Sequence, residues 1–205
     1  VDEVDEIIRL LETAIARIRQ TAASTPDTKD PPSARRPIAW GAKVSPTFRD
    51  RVWWICDTLG IDPDDLMSCI AWESGESFRP DIKNAAGSGA VGLIQFMPST
   101  AIGLGTSTSK LAAMKPEDQL NFVYLYFKPF ANRLNNLGDV YMAILWPRGV
   151  GKSDDYVLWD KGQSPTTFRQ NAGLDINKDA RVTRGECLKK IQEKLVKGRQ
   201  SQYLG

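Results

Sequence analysis

Apolar residues recur at intervals of three and four along much of this chain, the spacing of one face of an α-helix. In residues 1–25 the stripe is Val4, Ile7, Ile8, Leu11, Ala14, Ile15 and Ile18. Asp2, Glu3, Asp5 and Glu6 crowd its first turn and Arg17 and Arg19 come late, an order that suits the helix dipole. Such a stripe needs a partner, either the rest of this chain or a coiled-coil mate. Residues 26–37 follow as a linker, with prolines at 26, 31, 32 and 37 among small and charged residues.

From residue 38 the helical pattern resumes with start and stop signals. "SPTFRDRVWWICDTLG" offers Ser45 as N-cap, Pro46 at the first helical position and Gly60 as the stop, with Val52, Ile55, Cys56 and Leu59 on one face. "DPDDLMSCIAWESG" repeats the device: Asp62 caps, Pro63 opens, Gly75 ends, and Leu66, Met67, Ile70 and Ala71 face inward. "MPSTAIGLG" predicts a short helix from Pro98. "KPEDQLNFVYLYFKPFANRLNN" predicts a longer one disturbed at Pro129, and "GDVYMAILW" one ended by Pro147. A last helix, "ECLKKIQEKLVKGRQ", closes the chain. Strand signals are few, so the expectation is a mainly α domain over 38–160 with a small β-hairpin in the glycine-rich stretch, and a C-terminal segment over 161–205.

Composition narrows the chemistry. The 205 residues carry a net charge of +2 and contain no histidine. Ser-His-Asp triads, Cys-His dyads and histidine-ligated zinc are therefore excluded. The near balance of charge calls for no nucleic-acid partner. No apolar run approaches a membrane span, no signal peptide is visible, and an opening Val1 fits a processed or internal fragment. Three cysteines, Cys56, Cys69 and Cys187, are too few for a disulfide framework. Cys56 and Cys69 read as small core hydrophobes, with a bridge between them left open.

"GSGAVGLIQF" at 87–96 matches the glycine pattern of a pyrophosphate loop. That pattern must follow a buried strand and open a helix. Here it follows a polar stretch and runs into Pro98, so nucleotide binding is rejected. "GVGKS" at 149–153 fails as a P-loop because Trp146 stands where glycine is required. The glycines suit a turn, or a backbone that approaches a ligand closely. Upstream, Glu73 falls in the last turn of its helix at the margin of the apolar stripe. Helix-end carbonyls and apolar neighbours both disfavour its charge, and a glutamic acid that keeps its proton is what general-acid cleavage of a glycosidic bond requires. The pattern is that of lysozyme's acid, a standard worked case.

"AWESGESFRP" followed by "GAVGLIQFMPSTA" resembles the first two motifs of the soluble lytic transglycosylase family, related in fold to goose-type lysozyme. The resemblance covers roughly residues 45–160. It implies a lysozyme-like helical domain that breaks the β-1,4 bond between N-acetylmuramic acid and N-acetylglucosamine in peptidoglycan. Carried over, Glu73 is the acid and then the base. Ser74 holds the glutamate or an N-acetyl group. Gly92, Leu93, Ile94, Gln95, Phe96 and Met97 line the sugar groove, and Tyr124 or Tyr126 stands near the catalytic carboxylate. A late motif with an active-site tyrosine is missing, and Trp146 takes its neighbourhood. An inverting hydrolase needs a second carboxylate; Glu76, Asp81 and Asp139 are available. Without one, the sugar's own hydroxyl attacks and leaves a 1,6-anhydro product, the favoured expectation.

"NFVYLYFKPF" and "YMAILWPRGVGK" are similar to versions found in bacteriophage tail and virion proteins. The resemblance implies action on the bacterial wall from a phage particle, and the N-terminal helix with its proline linker suggests attachment of residues 1–25 to other tail or virion proteins. The rivals are a non-catalytic tail protein that keeps the fold and an endolysin. Trp53, Trp54 and Trp72 are read as packing residues. A separate pattern, "DINKDARVTRGE" at 175–186, puts oxygen-bearing groups at the ligand positions of an EF-hand loop: Asp175, Asn177, Asp179, the Arg181 carbonyl, Thr183 and Glu186. Ala180 stands where glycine is usual. A structural calcium ion and a retained turn held by Asx hydrogen bonds are the two expectations, neither catalytic.

Overall fold

Proline and a capping side chain open the two helices that build the core. The structure, a computed structural model, describes residues 35–85 and 87–205; the helix expected over 1–25 and most of the linker lie outside them. Helix α1 (Pro46–Leu59) starts where Ser45 Oγ accepts from the Phe48 amide and stops at Gly60, whose φ of 70° suits the residue without a Cβ. Helix α2 (Pro63–Glu73) starts at Asp62, which accepts from the Asp64 amide. The expected inward residues Val52, Ile55, Leu59, Leu66, Met67 and Ile70 are all buried.

The sequence pattern understates how deep α2 lies. Ser68, Cys69 and Asp64 are buried as well, so the helix is enclosed on every side for most of its length. It packs against α1, against α6 (Leu137–Leu145) and most extensively against α8 (Arg184–Gly198). Two of its buried polar side chains, Ser68 and Asp64, are satisfied. Ser68 donates to the Asp64 carbonyl, and the Asp64 carboxylate accepts from the Ala39 amide and from Arg199. The remaining helices are α3 (Pro98–Gly103) and α4 (Thr108–Ala112), which pack on each other, α5 (Pro116–Phe127), which packs on α1, and α7 (Pro165–Asn171), which packs on the small sheet. Pro129 ends α5 in a 3₁₀ turn over Lys128–Phe130, as expected. Helices α4 and α7 were not foreseen, being too short for a stripe to register.

The mainly α expectation holds, and the small sheet is present, but not where the glycines suggested. Strand β1 (Val157–Asp160) pairs antiparallel with β2 (Arg181–Thr183), with Trp159 opposite Val182. The glycine-rich stretch has only isolated bridges, Lys83 with Val91 and Val91 with Phe96. The boundary drawn at 160 falls inside one compact unit, Pro37–Gly205. β1 and β2 pair across it, and Ile38 exchanges two backbone hydrogen bonds with Gly205. Cys56, Cys69 and Cys187 are all buried within this core.

A buried ion pair ties the C-terminal part to the rest. Asp139 and Arg184 are almost fully enclosed and lie 3.1 Å apart. Asp139 also accepts from the amides of Asn135 and Gly151. Helix α8 itself begins in a capping box, Thr183 with Glu186. Just upstream, Ala180 has φ 68°, a left-handed conformation that costs a non-glycine residue about 1 kcal/mol. Replacing Ala180 with glycine is expected to stabilise the protein by roughly 0.5–1 kcal/mol, a rise in Tm of roughly 1–4 °C by calorimetry.

Candidate active site

Helix α2 ends at Glu73, and the chain then turns through three left-handed residues: Gly75 (φ 60°), Glu76 (φ 64°) and Phe78 (φ 53°). Each hydrogen bond in this turn closes it on the helix end. The Glu76 amide donates to the Ala71 carbonyl, Gly75 to Trp72, and Ser77 to Ser74. Ser74 is buried, and its hydroxyl accepts from the Phe78 amide at 3.1 Å. Its role here is therefore to shape the turn behind Glu73.

Beside this turn opens a cleft of about 540 Å³ lined by Trp72, Glu73, Ser74, Gly75, Ser77, Ile82, Lys83, Asn84, Ala85 and Gln95. The far wall is the loop 91–96, closed on itself where Val91 and Phe96 exchange two backbone hydrogen bonds. Gln119, wholly buried on α5, anchors that loop by accepting from the Leu93 amide at 2.7 Å. It also donates to the Pro80 and Leu111 carbonyls. A Cβ on Gly92 would stand 2.4 Å from the Gln119 Oε1, and the residue has φ 87°. The glycine is thus required for close approach to an internal amide rather than to a ligand. Leu93, Ile94 and Phe96 point into the core, which corrects the expectation that they line the groove; of this segment only Gln95 reaches the cleft. Met97 is 45% exposed but is not part of the cleft wall. The Gln95 amide nitrogen donates to the Ile82 and Gly92 carbonyls, which turns its Oε1 into the acceptor the side chain has to offer.

The carboxyl of Glu73 is the unusual group. It is partly buried in the cleft wall, and among the described residues no cation or hydrogen-bond donor partners it. Burial alone pushes its pKa from 4.5 to about 7. Tyr126 stands near it: burial, with the Glu73 charge adding, pushes that phenol up to about 12, and its hydroxyl donates to the Ala143 carbonyl at 2.8 Å. Tyr124 belongs elsewhere, tilted against Trp54 with ring centroids 4.8 Å apart. Of the two tyrosines the sequence left open, the geometry selects Tyr126. A third, Tyr141, was missed. It is buried near Glu73, and its pKa is raised by burial first and by Glu73 next. Its position on a uniformly apolar helix hid it among core residues. Trp146 packs edge-on against Trp159 at 5.6 Å and does not line the cleft.

No second carboxylate faces Glu73 across the cleft among the described residues. The three that the sequence offered are engaged elsewhere. Glu76 is bound by Lys194 and Lys197, Asp81 pairs with Arg79 at 2.7 Å, and Asp139 is buried against Arg184. Lys83 and Asn84, which sequence reasoning passed over, add the only cation and an amide to the lining. They sit between the two motifs, where no spacing singles out one polar residue from another.

The loop 175–186 keeps the EF-hand outline without gathering a ligand set. Glu186 has both oxygens occupied, accepting from the amides of Ile176, Asn177 and Thr183 and from the Thr183 hydroxyl. Asn177 and Asp179 each accept from an amide two residues on, and the Arg181 side chain turns away to Asp160. Asp175 Oδ1 is buried without a partner, the one oxygen left over for a cation. Among the described residues no group of three or more His, Cys, Asp or Glu side chains is drawn together as a metal site. The residues present fit a cation only in part.

A mainly helical fold with a small antiparallel sheet, enclosing a central helix that delivers one glutamate to a cleft, belongs to the lysozyme-like class. Residues 56–145 match the model of the transglycosylase SLT domain, which supports peptidoglycan as the substrate and glycosidic-bond cleavage as the reaction. Among the described residues no helix is long and apolar enough to cross a membrane.

The raised pKa of Glu73 has a thermodynamic consequence. The native state holds this proton up to about pH 7, whereas the unfolded chain releases it near 4.5. Stability is therefore undiminished below about 4.5 and falls as pH rises to about 7. Glu73→Gln, which cannot ionise, is expected to match the wild type in urea unfolding at pH 4. At pH 8 it should exceed the wild type by about 3 kcal/mol.

Proposed function

We propose that this protein is a lytic transglycosylase that cleaves the β-1,4 bond between N-acetylmuramic acid and N-acetylglucosamine in peptidoglycan. The observation that carries the proposal is the Glu73 carboxyl, protonated near neutrality in the wall of a cleft with no second carboxylate among the described residues. Glu73 gives its proton to the glycosidic oxygen as the bond to C1 of the muramic acid breaks. The same carboxylate then takes the proton of that sugar's C6 hydroxyl, whose oxygen closes on C1. Atoms balance without added water, and the product is a 1,6-anhydro ring. An inverting hydrolysis would need a base on the opposite face to activate water, and Glu76, Asp81 and Asp139 are all committed to cations.

The cleft suits a polar, largely uncharged chain. Trp72 and Ile82 offer apolar surface to sugar faces, while Asn84 and the Gln95 carbonyl oxygen offer hydrogen bonds to hydroxyl and N-acetyl groups. Tyr126 and Tyr141 keep the back of the site apolar, so Glu73 is shielded on the side away from substrate. No step is routed through the loop 175–186.

The proposed setting is a bacteriophage tail or virion, acting locally on the host wall. What supports it is the similarity of "NFVYLYFKPF" and "YMAILWPRGVGK" to virion versions of the family, together with the amphipathic pattern of residues 1–25 as an attachment element.

Two measurements test the reaction. Mass spectrometry of muropeptides released from purified walls is expected to find anhydro ends, one water lighter than reducing ends, and Glu73→Gln is expected to release none. Release of reducing ends would mean hydrolysis, and wall binding without release would mean a structural protein. Because the acid must carry its proton, kcat/KM is expected to hold level in acid and to fall about tenfold per pH unit above about 7.

A further inference from the structure

The matched domain ends at residue 145, yet the end of α2 is gripped by a helix beyond it. Glu76, three residues after Glu73, holds a left-handed conformation that its side chain disfavours (φ 64°). Its carboxylate reaches between two ammonium groups of α8, in contact with Lys194 and 2.6 Å from Lys197. These ion pairs are partly sheltered, with Glu76 22% and Lys194 24% exposed. Both lysines are steered by aromatic faces. Lys194 Nζ lies 6.0 Å from the Trp72 ring centroid, and Lys197 Nζ lies 5.5 Å from Trp40 and 5.4 Å from Tyr203. The α8 backbone is pinned in the same place. Trp40 Nε1 donates to the Lys194 carbonyl at 3.0 Å, and a Cβ on Gly198 would collide with the Trp40 indole.

The turn that follows the proposed acid is thus held from one side by hydrogen bonds to α2 and from the other by two cations on α8. Buried Ser74 and Phe78 hold the two ends of this turn, but Gly75 and Ser77 between them are exposed, and it is this middle, with left-handed Glu76, that the α8 cations fasten. We propose that Lys194 and Lys197, acting through Glu76, are positioning residues: they fix the turn 74–78 so that Glu73 keeps its place in the cleft wall. Helix α8, outside the matched domain, is by this account part of the working site. The inference rests on the reading of Glu73 as the acid.

The test uses the full chain and a soluble oligomer of alternating N-acetylglucosamine and N-acetylmuramic acid. The double variant Lys194→Met, Lys197→Met keeps the apolar stems over Trp72 and Trp40 while removing the charges. It is expected to lower kcat by tenfold or more with KM changed less than twofold, since a small misplacement of a reacting group is costly. Amide hydrogen exchange over 74–78 is expected to quicken while α1 and α5 stay protected. Lys194→Arg with Lys197→Arg is expected to restore kcat to within threefold of wild type. Wild-type kcat in the methionine variant, unchanged exchange at 74–78, or an arginine pair that rescues nothing would each overturn the proposal. An inert wild type, or a Glu73→Gln variant as active as wild type, would instead overturn the reading of Glu73 and take the catalytic claim for the lysines with it.

Discussion

Everything in this molecule is arranged around a carboxyl group that water cannot fully reach. A glutamate at the end of a helix would normally be solvated and ionised at neutral pH. Here the helix is enclosed by three others, so its last residue emerges only at the wall of a cleft, with Tyr126, Tyr141 and Trp72 nearby. Removing hydration without supplying a cation or a donor leaves the proton as the cheapest way to neutralise the charge. The chemistry proposed for the site follows from that imbalance.

Keeping such a group in place requires a rigid surround, and the fold provides it in two layers. Inside, Gln119 ties the 91–96 loop to Pro80, just before the cleft residues Ile82, Lys83 and Asn84, and Gln95 and Ile82 line the same cleft as Glu73. Outside, α8 closes over α2, anchored at its start by the buried Asp139–Arg184 pair and near its end by Arg199 on Asp64. Breaking a buried pair of this kind by removing one partner typically costs about 3–5 kcal/mol. The C-terminal segment is in this sense structural support for the half that carries the cleft rather than an appendage.

Much of this was legible in the sequence. Ser45–Pro46–Gly60 and Asp62–Pro63 marked the two core helices because capping chemistry is local and leaves a local trace. Glu73 and Gln95 stood out because two short motifs carry them. What the sequence hid depends on contacts between distant segments. Gly92 looked like a ligand-binding glycine, but its constraint is the Gln119 amide, 27 residues on. Trp146 was expected in the neighbourhood of a missing active-site tyrosine, but it packs on Trp159, in a strand of a two-stranded sheet that no alternating pattern announced. Glu76 looked like a spare carboxylate until Lys194 and Lys197 arrived from the far end of the chain. Tyr126 could be separated from Tyr124 only by seeing which of the two rings lies near Glu73 and which packs on Trp54.

The central claim is that the Glu73 side chain keeps its proton near neutrality. Selective ¹³C labelling of glutamate carboxyls, with Glu73→Gln to assign the resonance, would read its titration directly. The account predicts a midpoint close to 7, well separated from the other glutamates. A midpoint near the ordinary 4.5 would contradict it, because a carboxylate already ionised at pH 7 has no proton to give to a glycosidic oxygen.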